Sequence, residues 1–63
     1  MRIINQVSCM ENSFVIRQKE DGMLVVHSYT NSIGIKGTHN GFYTRDIGDA
    51  KKELLRRITR EIK

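Results

Sequence analysis

The sequence predicts an α+β domain: a three- to four-stranded antiparallel meander followed by one C-terminal amphipathic helix packed on one sheet face. Three observations carry this expectation. Residues 13–19 (SFVIRQK) and 23–29 (MLVVHSY) are rich in aromatic and β-branched side chains, and Glu20-Asp21-Gly22 between them is a hairpin connection. Ile47, Ala50, Leu54, Ile58 and Ile62 recur at spacings of three or four, with Leu55 widening the stripe, which is the period of a helix with one apolar face. Apolar residues make up 38% of the chain and charged residues 29%, a globular balance.

Taken in order, residues 2–8 form a weak first strand whose apolar content is Ile3, Ile4 and Val7. Met10-Glu11-Asn12 is expected to turn the chain into the second strand. The loop length of the next hairpin decides the faces. A three-residue loop with Gly22 in the left-handed region pairs Lys19 with Met23 and gathers Phe14, Ile16, Leu24 and Val26 on one face. A two-residue loop would slip the register by one and mix apolar with polar, because strand periodicity is two. The longer loop is therefore expected. The opposite face then carries Val15, Arg17 and Lys19 with Met23, Val25, His27 and Tyr29.

Thr30-Asn31-Ser32 reads as the following turn, residues 33–36 as a short strand, and residues 37–41 as a further turn. Phe42 and Tyr43 supply a last edge strand. Thr44 or Asp46 can cap the helix, and Asp46 and Asp49 lie where its dipole favours acidic groups.

Residues 1–63 make one domain, close to the lower limit for a self-sufficient core. Chains of this size usually rely on disulfides, a metal or a partner. Cys9 is the single cysteine, and Cys9, His27 and His39 stand at spacings that no common zinc motif uses. No cofactor or metal is expected, and a homodimer is the expected supplement. Val15, Met23, Val25 and His27, on the sheet face away from the helix, are its expected interface.

No stretch reaches the roughly 18 apolar residues of a membrane span, and the polar start of the chain does not read as a signal peptide. A lone cysteine suits a reducing compartment, so the cytoplasm is the expected location. Catalysis finds no support. Capping explains Asp46 and Asp49, no serine stands on a glycine elbow, and nothing pairs Cys9 with a histidine.

The charge is a local feature. From Lys51 onward six cations (Lys51, Lys52, Arg56, Arg57, Arg60 and Lys63) face only Glu53 and Glu61, which accounts for the whole net charge of +4. Glu53 and Arg57 stand four apart, as do Arg57 and Glu61, so part of this charge is ordinary helix pairing. The row Lys52, Arg56 and Arg60, with Lys63 beside it, is not: like charges at four-residue spacing repel by a few tenths of a kcal/mol. Such a row suits phosphates or an acidic protein surface. Arg17, Lys19 and Tyr29 on the open sheet face are the second candidate, since basic and aromatic groups together contact phosphates and stack bases.

Gly34-Ile35-Lys36-Gly37 is similar to the four-residue glycine loop of KH domains, although strand and turn, rather than two helices, are expected on either side. The meander leading through Phe42-Tyr43-Thr44 into a helix resembles the three-stranded DNA-binding domains of the AP2 and phage-integrase arm-binding types. That resemblance implies a sheet in the major groove with Arg17, Lys19 and Tyr29 as readers. The functional expectation is a small non-catalytic nucleic-acid-binding protein. The alternative is a protein-binding modulator, an inhibitor or adaptor of the phage or mobile-element type, docking through its sheet face or helix.

Overall fold

A computed structural model describes residues 2–34 and 39–62. Four strands, β1 (Arg2–Cys9), β2 (Asn12–Gln18), β3 (Leu24–Thr30) and β4 (His39–Thr44), precede one helix, α1 (Ile47–Ile62). Every neighbouring pair is antiparallel and the order is β1-β2-β3-β4, so the sheet is an open meander with β1 and β4 at its edges. The helix packs on one face, which makes this the expected α+β arrangement in its four-stranded form.

The β2–β3 hairpin has the three-residue loop. The Lys19 amide donates to the Met23 carbonyl at 2.8 Å, and the Gly22 amide donates to the Lys19 carbonyl at 3.0 Å. Gly22 has φ +90°, a conformation that glycine adopts without penalty. Gln18 therefore faces Leu24, Ile16 faces Val26 and Val15 faces His27. Alternation then places Phe14, Ile16, Leu24 and Val26 together, as the sequence predicts.

The β1–β2 connection is tighter than expected, because Cys9 pairs with Asn12 and only Met10 and Glu11 form the loop. Met10 takes a positive φ of 58°, the sign that two-residue hairpins require at their first loop position. Asn31 anchors this loop: its amide nitrogen donates to the Met10 carbonyl at 3.2 Å, its backbone amide donates to the Glu11 carbonyl, and its side-chain oxygen accepts from Ser13. A bulge between Ile3 and Asn5 shifts the register of β1 near its start.

The segment after β3 departs from expectation. Ile33 is not in a strand; the amides of Ile33 and Gly34 both donate to the Thr30 carbonyl and close a turn. The rest of the expected 33–36 strand, and of the similarity to the KH loop, lies outside the described residues. The last strand is longer than Phe42 and Tyr43 alone and begins at His39.

Asp46 caps α1. Its carboxylate accepts from the Gly48 amide at 2.7 Å, its carbonyl accepts from the Ala50 amide, and Thr44 Oγ1 accepts from the Asp46 amide. The core is Phe14, Ile16, Leu24 and Val26 from the sheet with Ala50 and Leu54 from the helix, bordered by Ile4, Val7, Cys9, Phe42 and Ile58. Burying a side chain such as Leu54 contributes roughly 1.5–3 kcal/mol. The helix is rolled relative to the sequence expectation. Glu53 is buried with Ala50 and Leu54, whereas Ile47, Leu55 and Ile62 remain exposed. The roll follows polar partners on the sheet: Ser28 receives Arg57, and Asn12 receives Glu61.

The face away from the helix corrects another expectation. Val15 and Val25 are 0% and 1% exposed and Ser13 is equally covered, although no helix lies there. Long side chains roof them. Gln6 on β1 donates through Nε2 to the Tyr29 hydroxyl on β3 at 2.5 Å, bridging across β2, and Lys19 stands 6.0 Å from the ring centre of Tyr43 on β4. Val15 and Val25 therefore have no side-chain surface to give a second copy, and of the expected interface only Met23 and His27 are half-exposed.

Candidate nucleic-acid interface

The helix sorts its charges by depth. Its sequence places Glu53 and Arg57 one turn apart on the side that touches β2 and β3, while Lys52, Arg56 and Arg60 follow at four-residue spacing on the solvent side. Glu53 is buried, and two arginines hold it: Arg57 Nε donates to Oε2 at 2.7 Å, and the Arg56 guanidinium donates to both oxygens at 2.9–3.0 Å. Arg57 then reaches Ser28 Oγ at 2.7 Å with Nη1. Burial pushes the Glu53 carboxyl up, but the hydrogen bonds and charges of Arg57 and Arg56 outweigh it, and the pKa ends below its ordinary 4.5. Glu53 is thus a buried anion that orients two cations.

One consequence is a helix whose outer surface is predominantly cationic. Lys51, Lys52, Arg56 and Arg60 are exposed. Among the described residues no ion pair involves Lys52 or Arg60, and Arg56 keeps an exposed guanidinium beside its carboxylate partner. Asp49 is the exposed acid on this side and stands in the first turn, where the helix dipole favours it. Glu61 is turned toward the sheet and accepts from Asn12 Nδ2 at 2.6 Å. Lys63, expected to extend the row, lies outside the described residues.

Beside the row, an open groove of about 450 Å³ runs between α1 and the sheet, with Arg56, Arg57 and Arg60 on its helix wall and Asn12 and Ser28 on its sheet wall. Glu53 and Glu61 also line it, so its charge is mixed. It adds hydrogen-bonding groups next to the cationic ridge without forming an enclosed pocket.

The sheet candidates are dispersed. Lys19 is exposed, but Tyr29 is buried with its hydroxyl engaged by Gln6, and Arg17 is half-buried with an Nε that meets no partner. Nearby His27 Nε2 is likewise buried and unpartnered. Burial, then the charges of Arg17 and Arg57, lower the His27 pKa from its ordinary 6.5, which favours the neutral ring. Arg17, Lys19 and Tyr29 do not make one open reading surface. The aromatic ring that is exposed on this face is Tyr43, which sequence reasoning passed over. The pairing of Val25 with Tyr43 across β3 and β4 places it there.

Among the described residues no three His, Cys, Asp or Glu side chains gather as metal ligands would, and no helix is long and apolar enough to cross a membrane. No protein-family model, characterised protein or solved structure matches the chain.

Proposed function

We propose that this chain is a non-catalytic nucleic-acid-binding protein that meets the phosphate backbone with the outward side of α1, through Lys52, Arg56 and Arg60. The observation that carries this reading is the sorting of charge along the helix. Glu53 is drawn into the interior and Glu61 toward the sheet, while the like-charged row stays in solvent. Arg56 is accounted for in part by its pairing with Glu53, but helix stability does not select Lys52 and Arg60 one turn to either side of it, which make no ion pair among the described residues and repel Arg56 mildly. Phosphates spaced along a backbone relieve that repulsion and release counterions. The contacts expected of such a ridge are to phosphate, with little base readout.

The alternative is a protein-binding modulator that docks through its sheet face or, against an acidic protein surface, through the same helix row. The sheet face offers little apolar surface because Val15 and Val25 are roofed; the exposed apolar residues are on the helix flank and the rim. The two readings separate in a titration of labelled duplex and single-stranded oligonucleotides at low salt. The native chain should bind both, and the combined Lys52→Gln, Arg56→Gln, Arg60→Gln variant should bind at least about tenfold more weakly. Absence of binding by the native chain, or an unchanged affinity in the variant, would remove the nucleic-acid reading.

A further inference from the structure

The rolled helix leaves an apolar step along one edge of the sheet. Leu55 is 62% and Ile62 70% exposed. Arg57 reaches β3 and Glu61 reaches the start of β2, while Ile58, on the next position around the helix, borders the core as Ile4, Val7 and Cys9 of β1 do. Continuing around the helix in that sense brings Ile62 and Leu55 over the β1 side. Ile4, Val7 and Cys9 are only half-buried there. The step has an apolar floor, an apolar wall and the open edge of β1.

The backbone of that edge has a definite polarity. Cys9 and Asn12 close the two-residue loop as a hydrogen-bonded pair, so by alternation Gln6 and Ser8 turn their amides and carbonyls away from β2. The Gln6 amide agrees, since it is met by the side chain of Asn5 at 2.9 Å rather than by β2. Edge strands are usually protected by lysine, proline or inward charge. From Ile3 to Met10 this one carries no charge and no proline, and its bulge lies before Gln6, which leaves the second half regular.

We propose that a second copy of this chain occupies the step, its β1 pairing antiparallel with the first about a two-fold axis at Val7. In this register Gln6 of each copy faces Ser8 of the other, and both present outward amides and carbonyls, so the edge is complementary to itself. The sheet becomes continuous across eight strands. Ile4, Val7 and Cys9 of each copy lie under the Leu55 and Ile62 overhang of the other. Two chains of net charge +4 would pair their strands along an uncharged stretch, residues 3–10. Both helices lie on one face of the joined sheet, so the two cationic rows point the same way. The contact does not depend on the nucleic-acid reading.

Sedimentation equilibrium over a concentration series tests this, together with a cross-link. The native chain should pass from monomer to dimer. Leu55→Glu, at an exposed helix position, and Ser8→Pro, which removes an outward amide, should each weaken the dimer at least tenfold while circular dichroism stays native. Opposed Val7 residues form a non-hydrogen-bonded pair with Cα atoms about 4.5 Å apart, within disulfide reach. Val7→Cys in a Cys9→Ser background should therefore cross-link to a covalent dimer under mild oxidation. A native chain that stays monomeric to millimolar concentration would overturn the proposal. So would a native dimer in which the Val7→Cys chain does not cross-link, or a monomer that instead takes up an added peptide strand at this edge.

Discussion

Arg57 Nε donates to Glu53 Oε2 at 2.7 Å from a side chain only 12% exposed, so a nearly buried ion pair fastens α1 over the sheet. Removing one partner of such a pair strands the other in a poorly solvated site. Glu53→Gln should lower unfolding free energy by about 2–3 kcal/mol, less than a fully buried pair would lose because Arg56 can turn to water. Urea denaturation measures this. Replacing Arg56 instead should cost under about 1 kcal/mol, since Arg57 still holds the carboxylate.

Acid should destabilise the fold in two separate windows. In the native state His27 has a pKa below 6.5, so as pH falls through 6.5 the unfolded chain takes up a proton that the native chain refuses, and stability declines until the native pKa is reached. Glu53 acts lower down: its contribution is complete above 4.5 and is lost as pH falls through its depressed native value. Thermal unfolding of His27→Gln should lose the decline that starts near 6.5 and keep the one below 4.5. An unchanged slope in the upper window would show that His27 is not its source.

Leu54 and Leu55 are neighbours in sequence and opposites in the fold, with 5% and 62% exposure. Leu54→Ala should cost about 2–4 kcal/mol, through lost burial and the cavity left behind. Leu55→Ala, measured at a concentration where the chain is monomeric, should fall within about 0.5 kcal/mol of the native value. Comparable losses at both positions would contradict the roll of the helix.

Met10 occupies a left-handed backbone conformation on a side chain that is 80% exposed. Met10→Gly removes the Cβ conflict and no packing, so a gain of about 0.5–1 kcal/mol is expected in urea denaturation. Glycine at this position is also the residue that two-residue hairpins favour.

Much of the sheet is legible in the sequence because Gly22 restricts the hairpin to one register, and register alone sorts Phe14, Ile16, Leu24 and Val26 from their neighbours. The helix is legible as a period but not as an orientation. The apolar stripe centres near Ile58, yet Ser28 and Asn12 draw Arg57 and Glu61 inward and expose Leu55 and Ile62. A one-body periodicity contains no information about polar groups on the opposing surface. The roof over Val15 and Val25 is hidden for a similar reason: Gln6 and Tyr29 are 23 residues apart and look like surface residues until the strands align them. Of the candidate interface, the cationic row follows from spacing alone, whereas the withdrawal of Glu53 from that surface depends on the roll.

If the outward row of α1 neutralises phosphates, binding must depend steeply on salt. With about three phosphates neutralised per chain, the logarithm of the association constant for duplex DNA should fall against the logarithm of salt concentration with a slope near −3. The Lys52→Gln, Arg56→Gln, Arg60→Gln variant should retain a slope close to zero. A native slope near zero, or a steep slope that the variant preserves, would mean that this row does not neutralise phosphates.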